Sequence, residues 1–494
     1  MSSYEQLQLL FERIYHLKNI QHIMEWDEAV MMPEGSGQTR SHVMSTLNGV
    51  IQKMLIQKKN KLLIDTAKKE TLGSRWDTAN LKWMEKDYHS AVCIPPKLAE
   101  KVIIATMTSE QMWRKLRAEN NWTDFLPYLK TTFQLAKEVA ERKSQALNLS
   151  PYDALLDEYA PGFNQNRIDA IFNGLKSSIP SLLKEIINKQ QKNTIQIPTG
   201  LFPIEKQKAL GLTVMQALQF KFSNGRLDAS HHPFCGGYGD DIRITTRYNE
   251  NEFLSSLMGI CHETGHARYD QGLPDKWIFQ PVGHVTSMAM HESQSLLLEM
   301  EVCRSVEFFE YITPLIQNTF GRQEAFTPHN LYHLATQVHP GLIRVNADEV
   351  TYPLHVILRY EIEKELMNND LLIDDLPARW DDLMMTYLGL STKHNNKDGV
   401  MQDVHWPSGA FGYFPAYTLG RMIAAQLFST FIKTHPTFLT ELKIGQFQLL
   451  HDWLSQHIYA NASLYPTDEL LMNVTGETLN PMFFVERIKA RYLA

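Results

Sequence analysis

The sequence has few cysteines: it contains only four in 494 residues, and none belongs to a C-x-x-C pair. A density this low excludes a disulfide scaffold and predicts buried thiols in a reducing compartment, for which the cytoplasm is the default. No apolar run approaches the length of a membrane span. The N-terminal segment lacks the basic start and apolar core of a secretory signal. We therefore expect a soluble cytoplasmic protein with no membrane partner.

The chain also has no excess of basic residues. The chain has 48 Lys and Arg residues against 55 Asp and Glu residues, which gives a formal net charge of -7. The two signs are intermixed, so we expect no nucleic-acid partner. There is no Pro/Gly/Ser-rich linker and no internal repeat, while 44% of the residues are hydrophobic and can fill a sizeable core. We predict a single two-lobed domain over residues 1–494, divided into a mostly helical lobe and groove wall (1–240) and the chemistry-bearing segments (241–494).

The fold is predicted to be mainly α-helical with a small β-sheet. From residue 3 to about 230, apolar residues recur at spacings of three and four, as in Leu7, Leu10 and Ile14. The segment 241–248 instead alternates like a strand. It could form one wall of a substrate groove and offer backbone groups to an extended peptide. A half-buried strand with a solvated polar face is an equally good interpretation.

One segment carries recognisable chemistry, the H-E-x-x-H stretch from His262 to His266. Positions four apart on a helix share a face, so both imidazoles can reach one Zn²⁺ while Glu263 lies beside the metal's water. Glu292 is the best candidate for a third ligand. Three protein ligands and an open water position are typical of a catalytic zinc site. The alternative is that the two histidines are ordinary polar residues on a helix face.

The residues around this motif predict helices. Asn249 can cap a helix and Glu252 can close a capping box, which places the motif about three turns inside a helix that Gly272 can end. The segment 286–299 predicts a second helix, on which Glu299 shares a face with Glu292. Glu299 could therefore support a ligating histidine or be an exposed charge, and the sequence favours the exposed charge.

Two later segments contain further candidates. Arg344 could clamp an anionic group in bidentate fashion, or pair with Asp348 four positions later; the residues alone favour the pair. Pro353 should bend the helix predicted to run on to about residue 367. The Gly- and aromatic-rich stretch 399–417 can place His405 and a tyrosine hydroxyl against an oxyanion. Aromatic packing under a loop is the alternative.

Taken together, these segments resemble the carboxypeptidase Taq family of metallocarboxypeptidases. Its hallmark stretches occur in order: D-x-R-x-T at 241–245, H-E-x-x-H at 262–266, H-E-S-Q at 291–294, I-R-x-x-A-D at 343–348 and G-x-x-Q-D-x-H-W at 399–406. The likeness covers essentially the whole chain. One departure is visible, since Leu296 and Leu298 stand where the family usually has an arginine and a tryptophan. That change concerns only the surroundings of the second helix.

The resemblance implies a helical fold with a long central groove, similar to angiotensin-converting-enzyme-like and neurolysin-like peptidases. It implies removal of single C-terminal residues with broad tolerance, zinc or sometimes cobalt as the cofactor, and frequent homodimers. The implied roles are metal ligation by His262, His266 and Glu292; catalysis by Glu263, His405 and Tyr413, with Tyr417 a weaker candidate; and substrate binding by Arg344, Arg243 and Gln402. In this context we expect Arg344 to bind the substrate's free C-terminal carboxylate rather than pair with Asp348.

Two other functions compete with this interpretation. A zinc oligopeptidase would share the metal site and the groove but would cut internal bonds, and it would not need the carboxylate clamp. A catalytically silent protein could keep the groove only to bind peptides. A peptide amidated at its C-terminus separates the first rival, because an endopeptidase should still cleave it.

Overall fold

The computed structural model describes residues 1–285 and 287–494 and confirms a mainly helical fold with a small sheet. Its α-helices in this part of the chain are α1 (Ser3–Val30), α2 (Gly37–Leu55), α3 (Lys58–Ala67), α4 (Arg75–Val92), α5 (Pro96–Ala118), α6 (Trp122–Leu147), α7 (Pro151–Tyr159), α8 (Gln165–Gln190), α9 (Ile204–Ala217), α10 (Leu254–Asp270), α11 (Met288–Leu296), α12 (Val306–Phe320), α13 (Pro328–Ala335), α14 (Tyr352–Asn368), α15 (Leu376–Leu388), α16 (Pro415–Thr434), α17 (Phe438–Leu442), α18 (Gln448–His457), α19 (Thr467–Thr475) and α20 (Met482–Leu493). The strands are β1 (Gly225–Ala229), β2 (Cys235–Tyr238) and β3 (Asp241–Thr246).

The three strands form one sheet in the order β1-β3-β2. β3 pairs in parallel with β1 and antiparallel with β2, so neighbouring strands pair with its backbone on both sides. The predicted strand is therefore real but ends at Thr246, and it cannot offer its backbone to a peptide. The two edge strands are β1 and β2. The predicted polar face of β3 is also only partly solvated, because Thr245 is buried.

Close approach of α10, α11 and α16 forms the centre of the main core. α16 is buried over most of its length and contacts α11 extensively. Two glycines permit this packing. A Cβ atom on Gly265 of α10 would lie 2.5 Å from Cα of Ser295, and one on Gly420 of α16 would lie 2.8 Å from Cβ of Glu292. Larger side chains at either position would push the helices apart.

Helix α10 begins later than predicted. It starts at Leu254, and Glu252 accepts the backbone N–H of Ser255. Asn249 does not cap it, because the Asn249 carboxamide oxygen accepts the N–H of Asn251 inside a tight turn. The helix ends at Asp270, just before the predicted stop at Gly272.

Two further helix predictions need correction. The second predicted helix is α-helical only over Met288–Leu296 and continues as a π-helical segment over Leu297–Cys303. The predicted start, Thr286, lies outside the described residues. Pro353 stands in the first turn of α14, so it starts that helix rather than bending it.

The first four helices include a separate small core. Side chains of α1, α3 and α4, among them Tyr4, Leu7, Phe11 and Tyr88, form a hydrophobic cluster distinct from the main one. Tyr238 of β2 packs against this cluster. The sheet therefore lies between the N-terminal helices and the rest of the molecule.

The cysteine prediction holds for two of the four residues. All four are free thiols; Cys261 and Cys303 are buried, whereas Cys93 and Cys235 are half-buried. Across the described ranges, no helix combines the length and apolar character needed to cross a membrane.

Candidate active site

Three predicted metal ligands converge between α10 and α11. Nε2 of His262 lies 4.0 Å from one carboxylate oxygen of Glu292, and Nε2 of His266 lies 3.5 Å from the other. One ligand atom from each residue lies within 4.8 Å of the other two. Bonds of about 2.0–2.1 Å in a tetrahedral zinc site separate neighbouring ligand atoms by about 3.3 Å. The three residues therefore fit a zinc ion. We call them the candidate metal site.

Glu299 fixes the orientation of His262. Its Oε2 accepts a hydrogen bond from Nδ1 of His262 at 2.9 Å, which leaves Nε2 free for a metal. Its Oε1 accepts Nη2 of Arg304 at 2.7 Å. Burial raises the pKa of Glu299, but Arg304 and His262 outweigh it and lower the pKa to about 2. The prediction that Glu299 is an exposed charge is wrong, because the partner residue comes from another helix.

The ring of His266 stacks on His291, with the centroids 4.2 Å apart. Nε2 of His291 donates to Asp270 at 3.1 Å. Nδ1 of His266 is buried without a hydrogen-bond partner among the described residues. Asp270 was missed from the sequence although it follows His266 by one helical turn.

Glu263 lies beside the candidate metal site and is 7% exposed. Burial raises its pKa to about 7, the nearby Glu292 adds to that effect, and His262 opposes it. A cation at the site would stabilise the ionised form. Glu263 is therefore poised to accept a proton near neutral pH.

Apart from Asp270, these residues line one cavity of about 960 Å³. Its wall also includes Cys235 of the edge strand β2, so β2 rather than β3 contributes to the groove. The polar side chains that line it away from the candidate metal site include Arg344, Tyr352, Tyr413, Tyr417 and Arg421.

Arg344 is held against Asp403 and does not pair with Asp348. Its Nη2 donates to Oδ1 of Asp403 at 2.7 Å, and its Nη1 donates to the hydroxyl of Tyr352 at 2.5 Å. Asp348 instead accepts the backbone N–H groups of Val350 and Thr351 before α14. The ion pair that the residues alone favour is therefore absent.

Asp403 is shared between two buried guanidinium groups. Arg359 lies 2.5 Å from Oδ2 of Asp403, while Arg344 takes Oδ1. Burial raises the pKa of Asp403, but the two arginines hold it far below its usual range. Arg344, Arg359 and Asp403 together have a formal charge of +1. Of the three, Arg344 lines the cavity. The region attracts a second carboxylate.

The tyrosines lie closer to the cavity than His405 does. Nε2 of His405 is 3.0 Å from the hydroxyl of Tyr417, and His405 is not among the described residues lining the cavity. Burial and Arg344 lower the pKa of His405 to about 3, so the ring is neutral. Tyr413 and Tyr417 both line the cavity, with centroids 5.1 Å apart. His405 therefore contacts Tyr417, and its direct contact with an oxyanion stays a prediction.

Two predicted substrate-binding residues have other partners. The Gln402 side chain accepts the backbone N–H of Arg344 at 2.8 Å and donates to two carbonyl groups, so it holds the Arg344 turn from behind. Arg243 pairs with Asp241 and lies over the ring of Trp26, 4.3 Å from its centroid. Neither belongs to the described lining of the cavity.

Comparison with known proteins agrees with this geometry. Residues 6–492 match the model of the carboxypeptidase Taq (M32) metallopeptidases.

The chain belongs to that family.

Thermostable carboxypeptidase 1 of Thermus thermophilus is 34% identical, with 100% of this chain and 99% of the relative covered. Carboxypeptidase 1 of Bacillus subtilis is 32% identical over 98% and 96% of the two chains. The solved structure of Trypanosoma cruzi metallocarboxypeptidase 1 superposes with a TM-score of 0.97 at 38% identity, covering 100% and 99%. The M32 assignment confirms the predicted metallocarboxypeptidase, a peptide hydrolase.

One buried residue of this M32 chain was missed altogether. Glu363 of α14 accepts the indole N–H of Trp406, the hydroxyl of Tyr152 and the backbone N–H of Gly412. It thereby holds the Gly- and aromatic-rich loop that leads into α16 and Tyr417. No sequence pattern marks it, because its partners come from three separate segments.

The departure from the M32 pattern is compatible with the fold. Leu296 and Leu298 are both buried and join the main hydrophobic core. Leu296 also lines the cavity. Apolar packing thus occupies positions where the family usually places an arginine and a tryptophan.

Proposed function

We propose that this M32 protein is a zinc carboxypeptidase in which His262, His266 and Glu292 hold the metal and Arg344 selects the free C-terminus of a peptide. One observation carries the proposal: the metal-fitting triad shares a cavity with a guanidinium group whose carboxylate partner is already shared. The triad supports hydrolysis, and the spare positive charge supports exopeptidase action.

Glu263 acts as the general base and acid. When bound, the metal ion polarises the scissile carbonyl and acidifies a water molecule, with a pKa of about 7 in sites of this type. Glu263 takes the proton from the attacking water and returns it to the departing amine. Burial raises the pKa of Glu263, which favours holding the proton, whereas a bound cation would favour the ionised form that accepts it.

Tyr413 and Tyr417 donate hydrogen bonds to the oxyanion that forms during attack. Both hydroxyl-bearing rings line the cavity, and buried donors of this kind stabilise developing negative charge more than water does. His405, which is not among the described residues lining the cavity, hydrogen-bonds the hydroxyl of Tyr417. It is a positioning residue.

Arg344 binds the C-terminal carboxylate of the substrate. Asp403 and Tyr352 hold the guanidinium in one orientation, so little conformational entropy is lost on binding. An internal peptide segment offers no carboxylate to this group, which disfavours the oligopeptidase alternative. A catalytically silent peptide binder would not need Glu263 in place beside the metal-fitting triad.

Several further properties belong to the proposal. They are one two-lobed peptidase domain with a groove like that of angiotensin-converting enzyme and neurolysin, a cytoplasmic location, a homodimer, and cobalt as an effective substitute for zinc. The groove, the homodimer and the use of cobalt rest on the resemblance to the family, whereas the single domain and the cytoplasmic location rest on the absence of a linker and on the low cysteine content.

The test is mass spectrometry of one unblocked peptide and its C-terminal amide, each with zinc-loaded or chelator-treated protein. Single-residue losses from the free C-terminus, abolished by chelation and by amidation, would support the proposal. Internal cuts in both peptides would favour the oligopeptidase. No cleavage with zinc or cobalt would favour the peptide binder.

A further inference from the structure

A second cavity of about 350 Å³ adjoins the main one, between α1 and β2. The two cavities share Phe234, Cys235, Met288 and His291 as wall residues. His291 stacks on His266, so this side chamber begins directly beside the candidate metal site. None of the roles proposed above uses it.

Two carboxylates line the side chamber. Asp270 accepts the N–H of His291, and Sγ of Cys235 lies 3.8 Å from the same oxygen. Glu25 of α1 is solvent-exposed; its Oε2 lies 3.3 Å from Nδ1 of His22, and its Oε1 accepts a hydrogen bond from Gln21 at 3.1 Å. These partners leave carboxylate lone pairs for further donors.

His284 adds an independent sign of a missing hydrogen-bond donor. Its ring stacks on Tyr15 with centroids 4.3 Å apart, and it bonds to the backbone of Ile278. Its Nε2 is buried and has no hydrogen-bond partner among residues 1–285 and 287–494. Burial lowers the pKa of His284 to about 3, so the ring is neutral. With one nitrogen donating to the Ile278 carbonyl, Nε2 of a neutral imidazole can only accept.

The charges around the chamber are predominantly negative. Burial, Asp270, Asp87 and Glu25 together raise the pKa of Tyr238, a wall residue. One nearby cation is Lys18, which lies over the ring of Tyr15, 4.8 Å from its centroid. The unpaired acceptor and the acidic surroundings call for a ligand that is both cationic and a hydrogen-bond donor.

The chamber lies apart from the carboxylate clamp. Its described lining includes neither Arg344 nor the tyrosines Tyr352, Tyr413 and Tyr417. A peptide whose C-terminal carboxylate sits on Arg344 and whose scissile carbonyl sits at the candidate metal site extends its N-terminal side away from Arg344. The side chamber is then within reach of that N-terminal part.

We propose that the side chamber is a subsite for an ammonium group on the N-terminal side of the scissile bond. The group can be the side chain of lysine or the α-ammonium of a short peptide, and Asp270, Glu25 and Nε2 of His284 accept its hydrogen bonds. This inference rests on the proposed carboxypeptidase function.

The test compares kcat/KM for matched peptides with the zinc-loaded protein. One series is N-acetylated and carries lysine or uncharged norleucine at each of the three positions before the scissile bond. A second series compares short peptides with a free or an acetylated N-terminus. We expect at least one pair to favour the cation by about tenfold, the scale of a charge-assisted hydrogen bond. The series that shows the preference identifies the source of the ammonium group.

Variants locate the effect. Glu25→Gln, at the exposed side of the chamber, and Asp270→Asn, which keeps an acceptor for His291, should each reduce the ratio between charged and uncharged substrates at least threefold. Glu28→Gln removes the same charge from α1 at an exposed position that lines neither cavity, and it should leave the ratio unchanged. Because Glu25 is exposed, its variant is expected to fold even if Asp270→Asn does not.

Equal rates for all charged and uncharged pairs would overturn the subsite while leaving the carboxypeptidase function intact. A preference that survives both variants would also overturn it, because the cation would then bind elsewhere. Failure to release a C-terminal residue from any peptide would instead overturn the proposed function itself.

Discussion

Oε2 of Glu299 accepts a hydrogen bond from Nδ1 of His262 at 2.9 Å, on the side of the imidazole opposite Nε2. This contact fixes both the tautomer and the direction of the proposed zinc ligand.

Replacing Glu299 by Gln should therefore weaken metal binding. An amide cannot equal the carboxylate as an acceptor for His262, so we expect zinc affinity to fall about 10- to 100-fold. Competition with a chromophoric chelator measures the change. Glu307→Gln, at the start of α12, is the control and should bind zinc like the parent protein. Equal affinity of Glu299→Gln and parent would remove the role given to Glu299.

Gly265→Ala should disturb the same site through packing. The added Cβ would lie 2.5 Å from Cα of Ser295, where only backbone could yield. We expect a loss of about 1–3 kcal/mol in the free energy of unfolding, together with weaker zinc binding. Gly174→Ala in α8 is the matched control, since no atom lies within 4 Å of its Cβ, and it should be neutral or stabilising. Equal stability of the two variants would contradict the close helix packing.

The general-base role predicts that Glu263→Gln keeps its metal and loses turnover. The amide cannot take the proton of the attacking water, so kcat should fall about 10²- to 10⁴-fold. Zinc content by atomic absorption must match that of the parent protein for the comparison to be valid. Parent-like kcat would show that another group acts as the base.

Stability should depend on pH through a buried ion network. Glu349 accepts Arg421 at 2.7 Å, bonds Arg491 and accepts the hydroxyl of Tyr492. Although burial raises its pKa, Arg491 and Arg421 lower it from 4.5 to about 2. A depressed carboxyl pKa stabilises the fold above the unfolded pKa, and this stabilisation is lost as the pH falls from about 5 to about 2.

The corresponding variant is Glu349→Gln. The shift corresponds to about 3 kcal/mol, so parent and variant should differ by roughly that amount in urea unfolding at pH 7. The difference in the free energy of unfolding between parent and variant should be smaller at pH 3, where part of the parent's stabilisation is lost. A gap of the same size at both pH values would contradict the assigned ionisation.

Local spacing was sufficient to predict the metal-fitting triad. Helix periodicity alone brings His262 and His266 to one face, and the few breakers around Glu292 indicate its helix. The same reasoning failed for Glu299, because its partner lies on α10. It also failed to anticipate the π-helical segment after Leu296, which no composition signal marks.

Long-range partners account for the remaining errors. Arg344 shares Asp403 with Arg359, and these three residues come from separate segments that only tertiary packing brings together. The motif containing Asp403 was noticed, but Gln402 and His405 within it were assigned the direct roles. In the structure Asp403 contacts Arg344 directly, Gln402 bonds the backbone of Arg344 and His405 bonds Tyr417.

The most direct test of the carboxylate clamp is a double comparison of kcat/KM. Parent protein, Arg344→Met and Arg243→Met are each assayed with a peptide and its C-terminal amide. Amidation should lower kcat/KM about a hundredfold or more for the parent and for Arg243→Met, since the buried Arg344 loses the substrate carboxylate. For Arg344→Met, amidation should lower kcat/KM less than about threefold, because this variant has no guanidinium group to bind the carboxylate. An amidation penalty in Arg344→Met as large as that of the parent would show that the C-terminal carboxylate binds elsewhere.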